Sequence, residues 1–242
     1  MSHKLIIKNE FPKINCLRFE KSGESVPDLN GIHLWQINIT SLKPHLNFYE
    51  KILSKDELEK SLKFKFEADR LRACFSRACL RILCGAYLLK SPGDLNFEYN
   101  PKGKPFLGSR DLSFNLSHSN ELILIGFSKR ESIGVDLEYN FKTENYMAIG
   151  EKYFHPKESA VLKTLPKEMR KGGFFKYWTA KEAYVKALGD GIGKKIQSFY
   201  IKESLAENKF LEISGPLENG NPKGFVYLFS PQKNYFAAVC IT

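Results

Sequence analysis

Helical and strand-like periodicities occur as short blocks in both halves of this chain, and their order limits the folds that it can adopt. In the first half, residues 33–39 alternate as a strand and residues 67–89 repeat apolar side chains at helical spacing. In the second half, residues 172–188 follow a helical pattern and residues 224–241 a hairpin pattern. No strand–helix–strand alternation typical of a parallel sheet occurs. The order of blocks therefore predicts an α+β fold with small antiparallel sheets and helices in each half.

The chain is predicted to divide into two lobes, residues 1–129 and 130–242. Gly189 lies where the helix ending at 188 would take a left-handed residue. Further blocks predict helices at 55–64, 149–154 and 156–165 and strands at 112–116, 121–127 and 132–139, with residues 117–120 joining the first two strands.

Composition describes a globular protein with a basic surface. The 242 residues carry a formal net charge of +10, which suits polyanionic partners such as nucleic acid, an anionic membrane, phosphorylated small molecules or an acidic protein. Taken alone, the charge is better explained by a soluble protein with many lysines. No apolar run approaches the roughly 20 residues that span a bilayer, and the first residues do not resemble a signal peptide. The five cysteines form no CxxC pair, which favours free thiols in a reducing cytoplasm.

The segment IGVDLEY, residues 133–139, places two carboxylates on one face of a predicted strand. Gly134, Asp136 and Glu138 share that face, and the apolar opposite face is predicted to be the core face. Hard cations such as Mg²⁺ prefer oxygen ligands. The pattern suits a metal site beside a bare glycine, while a solvated outer face is the more common explanation of such residues.

A polar stripe runs along the predicted helix at 172–188. Trp178, Glu182 and Lys186 lie at i, i+4 and i+8, so they share one face. An aromatic side chain on the stripe favours a partly covered site, and an ordinary surface ion pair is the alternative.

Basic residues also follow the predicted helix at 67–89. Arg70, Arg77 and Arg81 form one edge, and Arg72 lies on the other border of the apolar face. Such arginines either bind phosphate or decorate the surface of an amphipathic helix.

His118 lies between two serines in the segment FNLSHS at 114–119. A Ser–His pair suggests a hydrolase, but no GxSxG turn surrounds the serine, and adjacent residues on a strand point to opposite faces. A phosphate contact is the better functional interpretation of His118.

Taken in order, four motifs resemble those of the Sfp-type 4′-phosphopantetheinyl transferases. These are Lys104-Pro105, the NLSHS segment at 115–119, GxDxE at 134–138 and WxxKEA at 178–183. The resemblance implies a pseudo-dimer of two similar lobes with the active site between them. It implies transfer of the 4′-phosphopantetheine arm of coenzyme A to a serine of an apo carrier protein, with release of adenosine 3′,5′-bisphosphate.

The resemblance also assigns roles to single residues. Glu182, directly or through water, would take the serine proton, and Lys186 would contact the pyrophosphate of coenzyme A. The role of Lys181 within WxxKEA is left open. The implied Mg²⁺ ligands are Asp136, Glu138 and Glu182, and the implied coenzyme A contacts are Arg72, Lys104, Pro105, Ser117, His118 and Lys186.

The expected partners are coenzyme A and an acidic acyl, peptidyl or polyketide carrier protein, with the enzyme acting as a cytoplasmic monomer without membrane or nucleic acid. Two rival functions are a basic nucleic-acid-binding module and a metal-dependent phosphohydrolase. Same-face carboxylates argue against the first, because they repel a phosphate backbone. Mass spectrometry of an apo carrier after incubation with coenzyme A separates all three.

Overall fold

A computed structural model provides the structure of the chain. It describes residues 5–8, 29, 31–109, 112–129, 132–140, 145–189, 194–201, 210–214 and 224–242. The chain forms two compact units, one of residues 1–99 with 105–130 and one of residues 100–104 with 131–242. The five-residue segment 100–104 is thus part of the second unit.

The first unit packs helices on an antiparallel sheet extended by one parallel strand. Its sheet has the order β1-β2-β6-β5, and β3 and β4 form a separate hairpin. The strands are β1 (Leu5–Lys8), β2 (Ile32–Asn38), β3 (Phe97–Tyr99), β4 (Pro105–Leu107), β5 (Ser113–Ser119) and β6 (Leu122–Ser128), and the helices are α1 (Ile39–Leu42), α2 (Leu46–Ile52), α3 (Lys55–Leu62) and α4 (Glu67–Leu88).

The second unit repeats this scheme with an antiparallel sheet of order β7-β11-β10-β9-β8. In both units the first long strand pairs with the last strand, which pairs in turn with the strand before it. The strands are β7 (Ile133–Tyr139), β8 (Tyr200–Ile201), β9 (Phe210–Ser214), β10 (Phe225–Phe229) and β11 (Tyr235–Ile241), and the helices are α5 (Tyr146–Tyr153), α6 (Pro156–Thr164) and α7 (Lys167–Leu188).

Each unit has its own core beneath a long helix. In the first unit, Phe75, Ala78 and Cys79 of α4 are fully buried. In the second, Ala180 and Ala183 of α7 are fully buried in the core cluster that α7 forms with β10 and β11. The predicted α+β class and the antiparallel pairing are confirmed.

Local signals in the sequence explain where the helices begin and end. Ser54 and Glu57 form a reciprocal capping box at the start of α3. The long helix α7 ends at Gly189, whose φ of 75° is the left-handed conformation predicted for it.

Several predicted boundaries were wrong. Ser117–Ser119 were assigned to a connecting loop, but they pair with Leu122–Leu124 inside the β5–β6 ladder, and the turn lies at Asn120, whose φ is 50°. The helix predicted from 172 begins at Lys167. Two glycines lie inside it. Gly173 packs so closely on Leu165 that a Cβ would lie 2.7 Å from a leucine methyl carbon, whereas the space around Gly172 does not require a glycine.

Within the described residues, no helix is long and apolar enough to cross a membrane. Cys74, Cys79, Cys84 and Cys240 are free and buried. Cys16 lies outside the described residues, as do residues 130 and 131 at the predicted lobe boundary.

Candidate active site

Gly134 sets how closely α7 lies on β7. A Cβ at this position would meet the carbonyl carbon of Lys186 at 2.9 Å, and would approach Ala183 O and Ala187 N more closely still. The face that carries Gly134, Asp136 and Glu138 is therefore covered by a helix. The sequence-based interpretation of this face as a non-core face was wrong, because only a residue without a side chain lets the helix backbone approach so closely.

This packing brings the carboxylates of β7 against the polar stripe of α7. The Lys186 ammonium donates to Asp136 Oδ1 at 2.7 Å, and Trp178 Nε1 donates to Glu138 Oε1 at 3.2 Å. Asp136 is buried, with 4 % of its surface exposed, and the Lys186 side chain is 29 % exposed. The predicted stripe of Trp178, Glu182 and Lys186 thus packs on β7, the strand that carries Asp136 and Glu138.

Two of these carboxyl groups have strongly raised pKa values. Burial, reinforced by the Asp136 charge, raises the pKa of Glu138 to about 7, against the opposing effects of Lys186 and Trp178. Burial and the Asp136 charge also raise the pKa of Glu182 to about 7, and Lys186 opposes the rise. The site therefore disfavours the charged form of both glutamates, and Lys186 does not fully offset this effect.

The donor set suits a hard divalent cation. Glu182 Oε1 is buried and has no hydrogen-bond partner among the described residues, and Asp136 acts on both glutamates electrostatically. Oxygen donors around a cation are what Mg²⁺ uses. Among the described residues, however, no three His, Cys, Asp or Glu side chains are already arranged to hold a metal ion. The residues fit the ion in chemistry, and Lys186 provides the positive charge next to Asp136 in this conformation.

Lys104 has a different position from the one expected for a phosphate contact. Its ammonium donates to the carbonyls of Lys186 at 2.6 Å, Ile133 at 3.0 Å and Ala187 at 3.1 Å. These bonds use all three ammonium protons. Burial lowers its pKa to about 8. The ammonium thus caps the carbonyl end of α7, where a cation is favoured.

The neighbours of Lys104 act at the same helix end. Asn100 Nδ2 donates to Gly189 O at 2.8 Å, and the Asn100 side chain accepts from Lys104 N at 2.9 Å. Ser132 Oγ donates to Ala187 O at 2.6 Å. Pro105 opens β4 opposite Tyr99. The NPKGKP turn that forms this cap is visible in the sequence. The sequence alone could not show that the turn lies at the end of α7.

The predicted coenzyme A residues of the first unit lie near one turn. Arg72 pairs with Asp69 and donates to Asn120 O at 3.4 Å, just beyond the end of β5. His118 is exposed and Ser117 is buried on the other face of that strand. Arg72 and His118 are thus brought to the same end of the β5–β6 hairpin.

Two arginines on the edge of α4, Arg77 and Arg81, match neither interpretation made from sequence. Arg81 is 4 % exposed, and its guanidinium donates to Glu57 Oε2 at 2.5 Å and to the carbonyls of Pro92 and Leu95. Arg77 donates to Glu57 Oε1 at 2.5 Å. Arg81 is therefore part of the interior of the first unit. Glu57 is buried and accepts hydrogen bonds from both arginines in addition to its role in the capping box of α3.

Comparison with known proteins gives the family. Residues 132–240 match the model of the 4′-phosphopantetheinyl transferase superfamily, and residues 40–129 match that of the 4′-phosphopantetheinyl transferase N-terminal domain. The chain belongs to the 4′-phosphopantetheinyl transferases. It is 41% identical over 167 residues to the 4′-phosphopantetheinyl transferase HetI of Nostoc sp. PCC 7120, which covers 67% of this chain and 70% of HetI.

A more distant relative is Sfp of Bacillus subtilis strain 168, a 4′-phosphopantetheinyl transferase. It is 24% identical over 194 residues, which cover 79% of this chain and 83% of Sfp. The resemblance to the Sfp-type family seen in the sequence motifs is therefore confirmed. The chain is an enzyme of this class, which transfers phosphopantetheine from coenzyme A to carrier proteins.

Proposed function

We propose that this transferase uses Mg²⁺ to move the 4′-phosphopantetheine arm of coenzyme A to a serine hydroxyl of an acidic apo carrier protein. The serine oxygen forms a bond to the phosphorus that carries the pantetheine arm. The bond from that phosphorus to the bridging oxygen breaks, and adenosine 3′,5′-bisphosphate leaves. The observation that carries this proposal is the buried, charge-rich cluster of carboxylates, in which Glu182 Oε1 has no hydrogen-bond partner among the described residues.

Asp136, Glu138 and Glu182 would hold the cation. Its chemistry there would be to neutralise charge on the pyrophosphate as the leaving group departs. The support is the oxygen donor set and the raised pKa of both glutamates, which a cation would lower again.

Glu182 and Lys186 would act on the reacting groups directly. We assign Glu182 Oε1 as the atom that accepts the serine proton, directly or through water, because it is buried on the stripe beside Lys186 and has no hydrogen-bond partner among the described residues. Lys186 would hold pyrophosphate oxygens, since its ammonium is partly exposed beside Asp136. Trp178, which orients Glu138, would exclude water from one side.

Arg72, Ser117 and His118 would bind the 3′-phosphate end of coenzyme A. The support is the position of Arg72 at the turn that follows His118. His118→Ala should raise the KM for coenzyme A far more than the KM for dephospho-coenzyme A, which lacks the 3′-phosphate. Equal losses with both donors would refute this assignment. Lys104 is not retained as a phosphate contact, because its ammonium protons are bonded to backbone carbonyls.

The carrier is proposed to be acidic because the enzyme has a net charge of +10, which would accelerate association with an anionic partner and lose that effect in salt. We further propose that the enzyme acts as a monomer in the cytoplasm, a compartment in which the four described cysteines would stay as thiols.

Mass spectrometry of an apo carrier incubated with coenzyme A tests the proposal. Wild-type enzyme should add one phosphopantetheine per carrier with Mg²⁺ and none in excess chelator. Asp136→Asn and Glu182→Gln should abolish or greatly slow the transfer, and Glu168→Gln, an exposed glutamate on the same helix, should not. Asparagine is chosen because Asp136 is buried against Lys186, so that alanine would leave a void there.

A second readout separates metal binding from activity. Mg²⁺ should raise the unfolding temperature of the wild type and of Glu168→Gln, but much less that of Glu182→Gln. Full transfer by Asp136→Asn in chelator would end the metal assignment.

A further inference from the structure

Lys181 of the WxxKEA motif is buried away from the carboxylate cluster. Its side chain is 0% exposed, and its ammonium donates to Glu158 Oε2 at 2.7 Å and to Phe199 O at 2.6 Å. The ammonium also lies 4.2 Å from the centre of the Phe199 ring. A lysine with these partners has no path to a substrate, so its place in the motif needs another explanation.

Glu158 extends this contact to two other elements. It is the capping-box residue of α6, where Oε2 accepts from His155 N at 3.0 Å. Its other oxygen accepts from Ile201 N in β8 at 3.0 Å. The Lys181–Glu158 pair therefore ties one turn of α7 to the start of α6 and to β8.

The first unit contains the same device at the equivalent place. Arg81 is the fifteenth residue of the 22-residue helix α4, and Lys181 is the fifteenth residue of the 22-residue helix α7. Arg81 pairs with Glu57, the capping-box residue of the short helix before it, and bonds carbonyls of the segment that follows α4. Glu57 and Glu158 are each the third residue of their helix. Both long helices end in a left-handed residue.

The two helices differ in the next residue. Lys181 is followed by Glu182, whereas Arg81 is followed by the apolar Ile82 in the core of the first unit. Because Glu182 Oε1 has no hydrogen-bond partner among the described residues, no contact at that oxygen fixes its place. The position of Glu182 therefore depends on the backbone of α7. The ion pair of Lys181 holds that backbone one residue before Glu182.

We propose that Lys181 and Glu158 are positioning residues, whose buried ion pair sets the turn of α7 that carries Glu182. This inference rests on the proposed function of Glu182. Replacing a buried ion pair by uncharged side chains often changes net stability little, and in some proteins such a pair instead specifies one arrangement of the elements that it joins. In the first unit the Arg81–Glu57 pair only holds structural elements together. In the second unit the Lys181–Glu158 pair also positions the reacting carboxylate of Glu182.

The two pairs provide a matched experiment. We would compare Lys181→Met/Glu158→Gln with Arg81→Met/Glu57→Gln by urea unfolding and by single-turnover transfer. Enzyme would be in saturating excess over the apo carrier, and coenzyme A and Mg²⁺ would saturate the enzyme. The rate constant then does not depend on the folded fraction of the enzyme. Both variants should fold, and their urea midpoints should change to a similar extent, because each replaces a buried ion pair of the same kind. Only the Lys181 variant should slow the single-turnover step, by about 10-fold or more, because a small misplacement of a reacting group has large effects. Lys181→Arg should recover most of the rate, since an arginine serves at the equivalent position of α4.

A double-mutant cycle tests whether the pair acts through Glu182. Glu158→Gln alone should slow the step, but Glu158→Gln added to Glu182→Gln should cause no further loss. Additive losses would overturn the proposal, as would a wild-type rate constant in both Glu158→Gln and the Lys181 variant. A wild-type rate in Glu182→Gln itself would instead refute the proposed function, and the positioning role with it.

Discussion

Replacing Glu182 by glutamine should make the metal-free enzyme more stable at alkaline pH while it slows the transfer. Burial and the charge of Asp136 raise the pKa of Glu182 from 4.5 to about 7. The folded state therefore holds the proton more tightly than the unfolded chain, and the wild type loses stability as pH rises from about 4.5 through 7. Glutamine does not titrate, so the variant avoids this loss.

The magnitude follows from the shift. A rise from 4.5 to about 7 corresponds to about 3 kcal/mol, at about 1.4 kcal/mol per unit. Glu182 is 3 % exposed, so solvent screening reduces this figure little. A buried amide without a full set of partners costs about 1 kcal/mol, which leaves a net gain of roughly 2 kcal/mol at pH 8. The amide cost is the same at every pH, so the pH-dependent part remains about 3 kcal/mol.

Urea unfolding of both proteins in chelator, from pH 4 to 8, measures this directly. The stability difference between the variant and the wild type should grow between pH 4.5 and 7 and be constant above that range. Glu168→Gln, which changes an exposed carboxylate on the same helix, should show no such growth. A difference that does not vary with pH would show that Glu182 is not a buried carboxylate with a raised pKa.

Three further changes test the packing around the carboxylates. Gly134→Ala should destabilise the second unit by about 2 kcal/mol or more in urea unfolding, because a methyl group there overlaps the backbone of α7; unchanged stability would refute the close approach. Lys104→Met should lower stability by about 1–3 kcal/mol, since it leaves buried carbonyls at the end of α7 without a donor, and the coenzyme A KM should change little; a large KM increase with full stability would restore the phosphate role. Trp178→Phe should raise the Mg²⁺ concentration for half-maximal activity below pH 7 and have a smaller effect above pH 8, because Glu138 loses the hydrogen bond that favours its charged form. An equal effect at both pH values would argue against this role of the Trp178 hydrogen bond.

The sequence predicted the elements that rest on local patterns. The strand at 133–139 and the hairpin at 225–241 follow from alternation, and the helix end at Gly189 follows from a left-handed glycine. Short strands such as β3, β4, β8 and β9 escaped prediction, because two to five residues hold too little periodicity and depend on partners elsewhere in the chain.

The sequence predicted which residues form the carboxylate cluster, but it did not predict how far they are buried. Spacing alone placed Trp178, Glu182 and Lys186 on one stripe, but it could not show that Gly134 brings that stripe onto Asp136. Likewise Lys104 was interpreted by its charge, whereas its position against carbonyls of α7 depends on contacts between residues far apart in sequence. Charge in a sequence indicates a preferred partner, and only the fold selects between a phosphate and a helix end.

The likeness of the two long helices explains why, among the described residues, the carboxylate cluster lies at α7 and not at α4. Trp178, Glu182 and Lys186 correspond in helix position to Ala78, Ile82 and Ala86. Ala78, Ile82 and Ala86 are all buried, with 0 %, 3 % and 8 % of their surfaces exposed. In the second unit Glu182 is buried too, while Trp178 and Lys186 are partly buried. The stripe is therefore largely covered in both units, and apolar side chains there need no polar partners. Polar side chains there require partners, which β7 supplies through Asp136 and Glu138, and a glycine at 134 that lets the helix reach them. Carboxylates on such a stripe have raised pKa values and lower the stability of the fold unless a cation is present. Their presence in the second unit is therefore best explained by cation binding and the transfer reaction rather than by folding.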